Sequence, residues 1–153
     1  MTAFEAQDPG FESRVKASFA RQDFMRLIGA ELVRIVPGRC EIRLPYRREL
    51  AQQHGYFHGG VTGAIADTAA GYAAYSLMPA DATILTIEYK INLLAPAEGE
   101  ELIARARVKR SGRTVTVVGG EVVAQRDDGE SQIAEMLATM LCLRGRSDNP
   151  RGV

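Results

Sequence analysis

One long stretch of small and apolar residues constrains this chain more than any other feature. It covers residues 55–79 and reads GYFHGGVTGAIADTAAGYAAYSLMP. Apart from His58, its only acidic or basic residue is Asp67. A lone carboxylate in such surroundings is costly to bury unless a partner or a chemical role accounts for it. Asp67 is therefore a candidate catalytic group, and an exposed aspartate on a helix surface is the alternative.

The same stretch is long enough to be considered as a membrane-spanning helix. Its composition argues against that interpretation, because it carries Asp67, His58 and Pro79 together with many small residues and few Leu or Ile. A helix that is apolar on all sides can instead form the buried centre of a soluble fold. The chain has 153 residues, which suits one compact domain with such a core. We therefore expect no membrane partner.

Charge and cysteine content narrow the function classes further. The net charge is +0 and no basic stripe is present, so the chain lacks the electrostatic footprint of a nucleic-acid-binding protein. The N-terminal residues lack the basic and apolar regions of a secretory signal. Cys40 and Cys142 are the only cysteines, and we expect reduced thiols that fill space in the strands of a cytoplasmic protein.

Hydrophobic periodicity and turn signals give the expected order of elements. The N-terminal region contains a helix over residues 11–24, and a hairpin follows with strands at 31–36 and 40–44. The long helix covers residues 60–77. Four strands complete the chain, at 83–94, 102–109, 114–125 and 132–143, with turns at 110–113 and 127–129 and a bulge or bend at Gly119-Gly120.

This order predicts an α+β fold in which an antiparallel sheet wraps around the long helix. The last four strands are expected to form a meander joined by short turns. We divide the chain into an N-terminal arm and helix (1–27), a core domain (28–145) and a polar, disordered tail (146–153).

The start of the long helix offers hydrogen-bond donors. Unpaired N–H groups at a helix start can polarise a carbonyl, and Gly59 and Gly60 expose such groups without interference from a Cβ. Asp67 follows Gly59 by eight positions, which is about 12 Å along a helix axis. One small reacting centre cannot easily touch both groups. We therefore infer a homodimer with two shared sites, each using Gly59 of one subunit and Asp67 of the other.

His58 has two interpretations. Its ring either hydrogen-bonds the backbone and fixes the loop, or acts directly as a ligand or acid–base group. His54 lies four residues earlier, but Gly55 makes a helix there improbable, and no third His or nearby Cys completes a metal site. We therefore predict no metal. Tyr72 and Tyr75, which lie further along the helix, are expected to be packing residues.

The motif His58-Gly59-Gly60, followed by six residues and then Asp67 in AIADTAAGYAAYS, resembles the PaaI-like acyl-coenzyme A thioesterases of the hotdog fold. The segments EYKINLLAPAEGEEL and VKRSGRTVTVVGGEV are similar to later strands of that family, and the resemblance covers about residues 28–143. It implies an antiparallel sheet curled around one long helix, in dimers that often pair into tetramers. It also implies hydrolysis of acyl-CoA thioesters with no cofactor, since coenzyme A is part of the substrate.

The resemblance assigns roles to individual residues. Asp67 matches the catalytic acid, and Gly59 matches the backbone donor that polarises the thioester carbonyl. Gln52 occupies the place of an Asn or Gln that holds the water or the thioester, and Thr86 falls near a Ser or Thr that orients the water. Many relatives have Asn at position 52, and the extra methylene of Gln could alter the placement of the water. Contacts to the substrate are expected from Gly60 and Thr86, and from Arg110, Ser111, Gly112 and Arg113, which match a turn that contacts the CoA nucleotide in relatives.

Three questions stay open at this point. Asp67 could activate water as a general base or attack the thioester itself as a nucleophile. The acyl group could be an aryl or a medium-chain group, because the small residues of the helix leave room for either. A hotdog-fold dehydratase that uses His58, and a non-catalytic acyl-CoA-binding protein, are the alternative functions.

Overall fold

The computed structural model describes residues 4–149. Two short helices open the chain, α1 (Phe11–Ala20) and α2 (Asp23–Ile28), and a hairpin of β1 (Glu31–Val36) and β2 (Arg39–Pro45) follows. One turn of 3₁₀ helix (Arg48–Leu50) leads to the long helix α3 (Gly59–Tyr75). Four strands complete the fold: β3 (Ala82–Leu93), β4 (Glu101–Ser111), β5 (Val115–Arg126) and β6 (Gly129–Arg144).

The strands form one antiparallel sheet of six, in the order β1-β2-β4-β5-β6-β3. The α+β prediction, with a sheet wrapped around one long helix, is confirmed. The expected meander is wrong at its first step, because β3 pairs with β6 instead of β4. The connection after β3 crosses over the helix start, where Phe57 N–H donates to Ala97 O at 3.0 Å, and β3 becomes an edge strand of the sheet.

Helix α3 forms the centre of the core. Small side chains let the strands approach its backbone closely, and Ala69, Ala70, Ala73 and Ala74 are completely buried. This burial compensates for the low helix propensity of the glycines in α3, which costs about 1 kcal/mol each relative to Ala. Among the described residues, no helix is long and apolar enough to cross a membrane.

The N-terminal region differs from the single helix predicted over 11–24. Arg21 and Gln22 interrupt it, because their N–H groups donate to the carbonyls three residues earlier, at 3.1 and 3.0 Å. The second helix ends at Gly29, whose φ of 78° lies in the left-handed region that favours glycine. Arg14 joins α1 to the core, since its guanidinium donates to Met78 O and Pro79 O, each at 2.8 Å.

The predicted turn at 110–113 is shorter than expected. Strand β4 continues to Ser111, and Arg110 and Ser111 pair with β5. The ladder is irregular between Val108 and Arg110, and the side chain of Lys109 there lies over Gly119, where an added Cβ would be 2.3 Å from Lys109 Cε. The irregularity expected at Gly119-Gly120 therefore occurs in the neighbouring strand.

Both cysteines are free and buried, Cys40 in β2 and Cys142 in β6, as predicted. Burial raises the pKa of the Cys40 thiol well above its usual range. The division into domains stays a prediction. Within the predicted tail, Asp148 forms an ion pair with Arg21 at 2.6 Å, whereas residues 150–153 lie outside the described part of the chain.

Candidate active site

Asp67 is half-buried on α3, and one of its oxygens is fixed by β3. Thr86 Oγ1 donates a hydrogen bond to Asp67 Oδ1 at 2.8 Å. Burial raises the pKa of Asp67, and the hydrogen bond from Thr86 opposes part of that rise. Within residues 4–149, Asp67 Oδ2 has no hydrogen-bond partner. The carboxylate is thus oriented by one oxygen, while the other is available to a ligand or water.

At the start of α3, most of the backbone donors already have partners. His58 is the N-cap residue, and its Nδ1 accepts a hydrogen bond from Gly60 N–H at 2.8 Å. The carbonyl of His58 accepts from Val61 N–H and Thr62 N–H, at 3.1 and 3.3 Å. Gly59 N–H has no partner in the part of the chain that the structure describes. It is therefore the donor of this helix start that remains free for a ligand.

These contacts bear on two predicted residues. The ring of His58 fixes the backbone, as in the first of its two interpretations, and an acid–base role stays a prediction. The N–H of Gly60 is used by the cap, so a substrate contact from that amide would have to displace His58. A Cβ added to Gly60 would lie 2.9 Å from His58 Nδ1, which explains why glycine suits this position.

Gln52 and Gly59 line one cavity of about 310 Å³, together with apolar side chains that include Phe57 and Leu93. Gln52 Oε1 accepts a hydrogen bond from His54 N–H, which orients the amide. Gln52 Nε2 has no partner among the residues described, so the NH₂ group is a second donor available in this cavity. The structure thus brings together two residues that the sequence predicted to contact the thioester.

Asp67 and Thr86 line a different cavity, of about 380 Å³. The two cavities share no lining residue. One chain therefore carries two half-sites, an Asp67–Thr86 pair and a Gln52–Gly59 pair, and does not bring them together. The rise of an α-helix separates Asp67 from Gly59 by about 12 Å along α3.

The predicted contacts to the CoA nucleotide lie elsewhere. None of residues 110–113 lines either half-site cavity. They lie at the end of the β4–β5 hairpin, where Gly112 N–H donates to Val115 O at 2.9 Å. A Cβ on Gly112 would lie 2.7 Å from that same oxygen, so the tight turn requires glycine. The role of these residues in CoA binding stays a prediction.

A third group of residues lies around Asp67 and has no local signal in the sequence. Ser18, Arg21 and Gln22 of the N-terminal region and Asp148 of the C-terminal segment also line the Asp67 cavity. Tyr72, predicted as a packing residue, is buried and joins this group through its hydroxyl. Burial raises the pKa of Tyr72 to about 12, so the phenol stays protonated at neutral pH.

Comparison with known proteins places the chain in a family. The family model described as the thioesterase superfamily matches residues 54–130. A solved thioesterase family protein from Silicibacter pomeroyi is 47% identical, with a TM-score of 0.87 over 89% of this chain and 100% of the other. The 1,4-dihydroxy-2-naphthoyl-CoA hydrolase of Listeria monocytogenes is 29% identical over 90 residues, which cover 59% of this chain and 73% of the relative.

The fold has a further match in the E. coli PaaI protein from the phenylacetic acid degradation operon. The TM-score is 0.76 at 20% identity, over 88% of this chain and 92% of the other. The six-stranded antiparallel sheet wrapped around one long helix is the hotdog fold of these neighbours. The chain belongs to the thioesterase superfamily, and it is a thioester hydrolase. The resemblance to PaaI-like proteins is confirmed at the level of the fold.

Proposed function

We propose that the protein hydrolyses the thioester bond of an acyl-CoA, with Asp67 as general base or nucleophile and the Gly59 N–H as oxyanion donor. The observation that carries this proposal is the combination of a carboxylate with one free oxygen and a helix start with one free amide. Thioester hydrolysis needs both parts. One is a group that activates or delivers an oxygen, and the other is a hydrogen-bond donor that stabilises the negative charge developing on the carbonyl oxygen.

The chemistry follows from these groups. As a general base, Asp67 takes a proton from water, the water oxygen attacks the thioester carbon, and the CoA thiolate leaves. As a nucleophile, Asp67 attacks that carbon itself, the C–S bond breaks and the CoA thiolate leaves, and water then hydrolyses the resulting mixed anhydride to the acid and free Asp67. The Gly59 N–H and the Gln52 amide stabilise the oxyanion in both routes. General-base assistance contributes about 10²–10⁴ in rate, and one oxyanion donor about 10²–10³.

A homodimer would complete the site. Strand β3 is a long edge strand, and its apolar side chains are exposed, including Ile87 at 54%, Tyr89 at 46% and Leu93 at 58%. Such an edge favours pairing with a second copy of the same strand. Antiparallel pairing centred between Tyr89 and Lys90 of β3 would bring Thr86 opposite Leu93 of the partner subunit, the residue whose counterpart in this chain lies beside Gly59. Each site would then combine Asp67 with Gly59 of the partner subunit.

Two features of the chain bear on the substrate. A cavity of about 380 Å³ beside Asp67 suits an aryl or a medium-chain acyl group, and a relative named as a hydrolase of an aryl-CoA ester supports that class. We propose that Arg110 and Arg113 contact the CoA phosphates, with Ser111 and Gly112 in the same turn.

The free, buried cysteines support a cytoplasmic location. Assembly of dimers into a tetramer, absence of a cofactor and absence of a metal stay predictions.

The decisive experiment replaces the carboxylate. Asp67→Ala is expected to abolish hydrolysis of any acyl-CoA that the wild-type protein turns over, while the protein stays folded and dimeric by circular dichroism and light scattering. Asp127→Ala, the same substitution in the exposed β5–β6 turn, serves as the matched control and should keep full activity. Unchanged turnover by Asp67→Ala would end the proposal. Dehydration of a 3-hydroxyacyl-CoA by the wild-type protein would favour the dehydratase alternative instead.

A further inference from the structure

We propose that the end of α1 and the two residues after it form the wall that selects the acyl group, with Gln22 as the residue that determines specificity. This inference depends on the proposed function, because it takes the Asp67 cavity as the acyl site. Ser18, Arg21 and Gln22 line that cavity, although they precede the core domain by sequence. They also lie outside residues 54–130, the part of the chain that the family model matches.

A chain of hydrogen bonds holds Gln22 in the wall. Gln22 Nε2 donates to the Tyr72 hydroxyl at 2.8 Å, and that hydroxyl donates its single proton to Ser18 Oγ at 3.1 Å. Within this Gln22–Tyr72–Ser18 chain, Gln22 Oε1 and the hydroxyl hydrogen of Ser18 have no partner among residues 4–149. The chain therefore offers the cavity one hydrogen-bond acceptor and one donor.

Contacts with other segments of the chain also hold the wall in place. Arg21 forms an ion pair with Asp148 at 2.6 Å, and Asp148 accepts a second hydrogen bond from Thr83 Oγ1 at 2.9 Å. Arg14 ties the preceding turn of α1 to the carbonyls that follow α3. A wall held at several points keeps its place when a ligand enters, so it can set both the length and the polarity of the acyl group.

The spacing of Asp67 and Tyr72 along α3 gives the depth of the cavity. Asp67 and Tyr72 are five residues apart, which is about 7.5 Å along the helix axis. Between them, Gly71 faces open space, since a Cβ added there would meet nothing within 4 Å. An acyl group that starts at Asp67 and passes Gly71 would thus end against Gln22, Tyr72 and Ser18.

The polarity of the wall then decides which acyl end is preferred. An acyl chain that ends in a methyl group would remove water from Gln22 Oε1 and the Ser18 hydroxyl without replacing their hydrogen bonds, and that is unfavourable. A chain of equal length whose end can both donate and accept would satisfy both groups. We therefore expect acyl groups with a polar end to be preferred over methyl-ended groups of the same size.

The test compares two thioesters that differ only at the end of the acyl chain. Hexanoyl-CoA ends in a methyl group, and the ω-hydroxy derivative of pentanoyl-CoA places a hydroxyl at the same position. The ratio of kcat/KM for the hydroxyl-ended over the methyl-ended ester is measured in the wild type and in Gln22→Met, which keeps the side-chain length and removes the amide. Gln22 is the N-cap residue of α2, but its side chain makes no capping bond, so the substitution does not remove a cap.

We expect the ratio to favour the hydroxyl-ended ester in the wild type and to fall about fivefold to tenfold in Gln22→Met. Tyr72→Phe, which removes the anchor of Gln22, should lower the ratio in the same direction. Gln125→Met replaces a glutamine far from the cavity and should leave the ratio unchanged. A ratio in Gln22→Met within about twofold of the wild type, or no preference in the wild type, would overturn the inference.

Binding separates failure of this inference from failure of the proposed function. Non-hydrolysable thioether analogues of the two esters are titrated against the same variants, and the ratio of their Kd values provides the same comparison without turnover. If hydrolysis does not depend on Asp67 but the Kd ratio still changes in Gln22→Met, the proposed chemistry is wrong and the role of Gln22 in specificity is supported. If hydrolysis depends on Asp67 and neither the kcat/KM ratio nor the Kd ratio changes in Gln22→Met, the role of Gln22 is wrong and the proposed chemistry is supported.

Discussion

Tyr89 of β3 packs against Gly63 of α3, with its phenol oxygen 3.8 Å from the position that a Cβ would take on Gly63. Gly63 lies midway along α3 between Gly59 and Asp67, so the contact marks the centre between the two half-sites. A two-fold axis near this contact would exchange the half-sites between subunits. The proposed shared site therefore requires a two-fold axis near Gly63 and Tyr89.

The proposed oxyanion donor can be removed with one substitution. Gly59 is the first residue of α3, where proline is well tolerated, and the extended backbone of His58 (φ −66°, ψ 136°) suits a residue that precedes proline. Gly59→Pro removes the N–H and adds the proline ring, and it should lower kcat by about 10²–10³. Gly59→Ala keeps the N–H, and its Cβ also meets the Cδ1 end of the Leu93 side chain at 2.9 Å, so it controls for the added carbon and should retain much more activity.

The same variant tests whether the site is shared. When inactive Asp67→Ala subunits are mixed with inactive Gly59→Pro subunits and allowed to exchange, half of the dimers contain one subunit of each kind. One of the two sites in such a dimer has both wild-type residues, so the mixture should recover about a quarter of wild-type activity. Sites contained within one chain would give no recovery.

The pH dependence should respond to Thr86. The hydrogen bond from Thr86 lowers the pKa of Asp67 against the larger effect of burial, so Thr86→Val should raise that pKa further. Activity needs the carboxylate and is lost as the pH falls through its pKa. The acid limb of the kcat/KM profile should therefore move to higher pH in Thr86→Val and stay in place in Thr114→Val, a control in the β4–β5 turn. An unmoved limb would mean that Asp67 is not the titrating group.

The buried charge of Asp67 should cost stability at neutral pH. An acid whose pKa is raised in the folded state destabilises that state above the raised pKa, and the cost disappears as the pH falls below the pKa of the unfolded state. Asp67→Asn should thus have a higher Tm than the wild type at pH 7 although it is inactive. The difference should vanish below about pH 3.9, the usual pKa of aspartic acid. Thermal unfolding of the two proteins, followed by calorimetry from pH 7 to below about pH 3.9, measures the difference in Tm and its disappearance at low pH.

The two interpretations of His58 can be separated by the choice of replacement. His58→Ala removes the acceptor of the cap and should cost about 0.5–2 kcal/mol of unfolding free energy. Asparagine is a good N-cap residue, so His58→Asn should restore the stability. If the ring only caps, His58→Asn also restores activity. A stable but inactive His58→Asn protein would instead support an acid–base role.

Gly71 offers a substitution in which stability and activity should change in opposite directions. A Cβ at Gly71 meets no other atom, so Gly71→Ala should gain about 1 kcal/mol from better helix propensity. The added methyl group also projects into the Asp67 cavity, and hydrolysis of bulky acyl-CoA esters should decline relative to acetyl-CoA. Equal activity on large and small esters would show that the acyl group does not pass Gly71.

The parts of the site that were predictable from the sequence are local. Asp67 was identified because its neighbours carry no other charge, and Gly59 because it opens the helix with no side chain. The cap formed by His58 and Gly60 spans two residues, so it could be anticipated as one of two interpretations. Each of these signals depends on the chain within about two helical turns, a range over which secondary structure fixes the geometry.

The parts that were not predictable depend on long-range pairing. The alternation of β3 fits β6 as well as β4, and nothing in the pattern of the strand specifies its neighbour. The wall beside Asp67 depends on Arg21 and Asp148, which are 127 residues apart in sequence. The interruption between α1 and α2 was missed because the apolar spacing continues through Gln22, whose side chain is used by Tyr72.

The contacts of Arg14 have a practical meaning for protein engineering. Its guanidinium closes the end of the central helix by binding Met78 O and Pro79 O, and the same segment of α1 leads into Ser18 and Gln22. A minimal version of the enzyme, trimmed to its family-matched portion, would leave those two carbonyls without their cation and open one side of the Asp67 cavity. Directed evolution toward new esters should therefore begin with libraries in the N-terminal helices, where altered selectivity need not disturb the reacting groups.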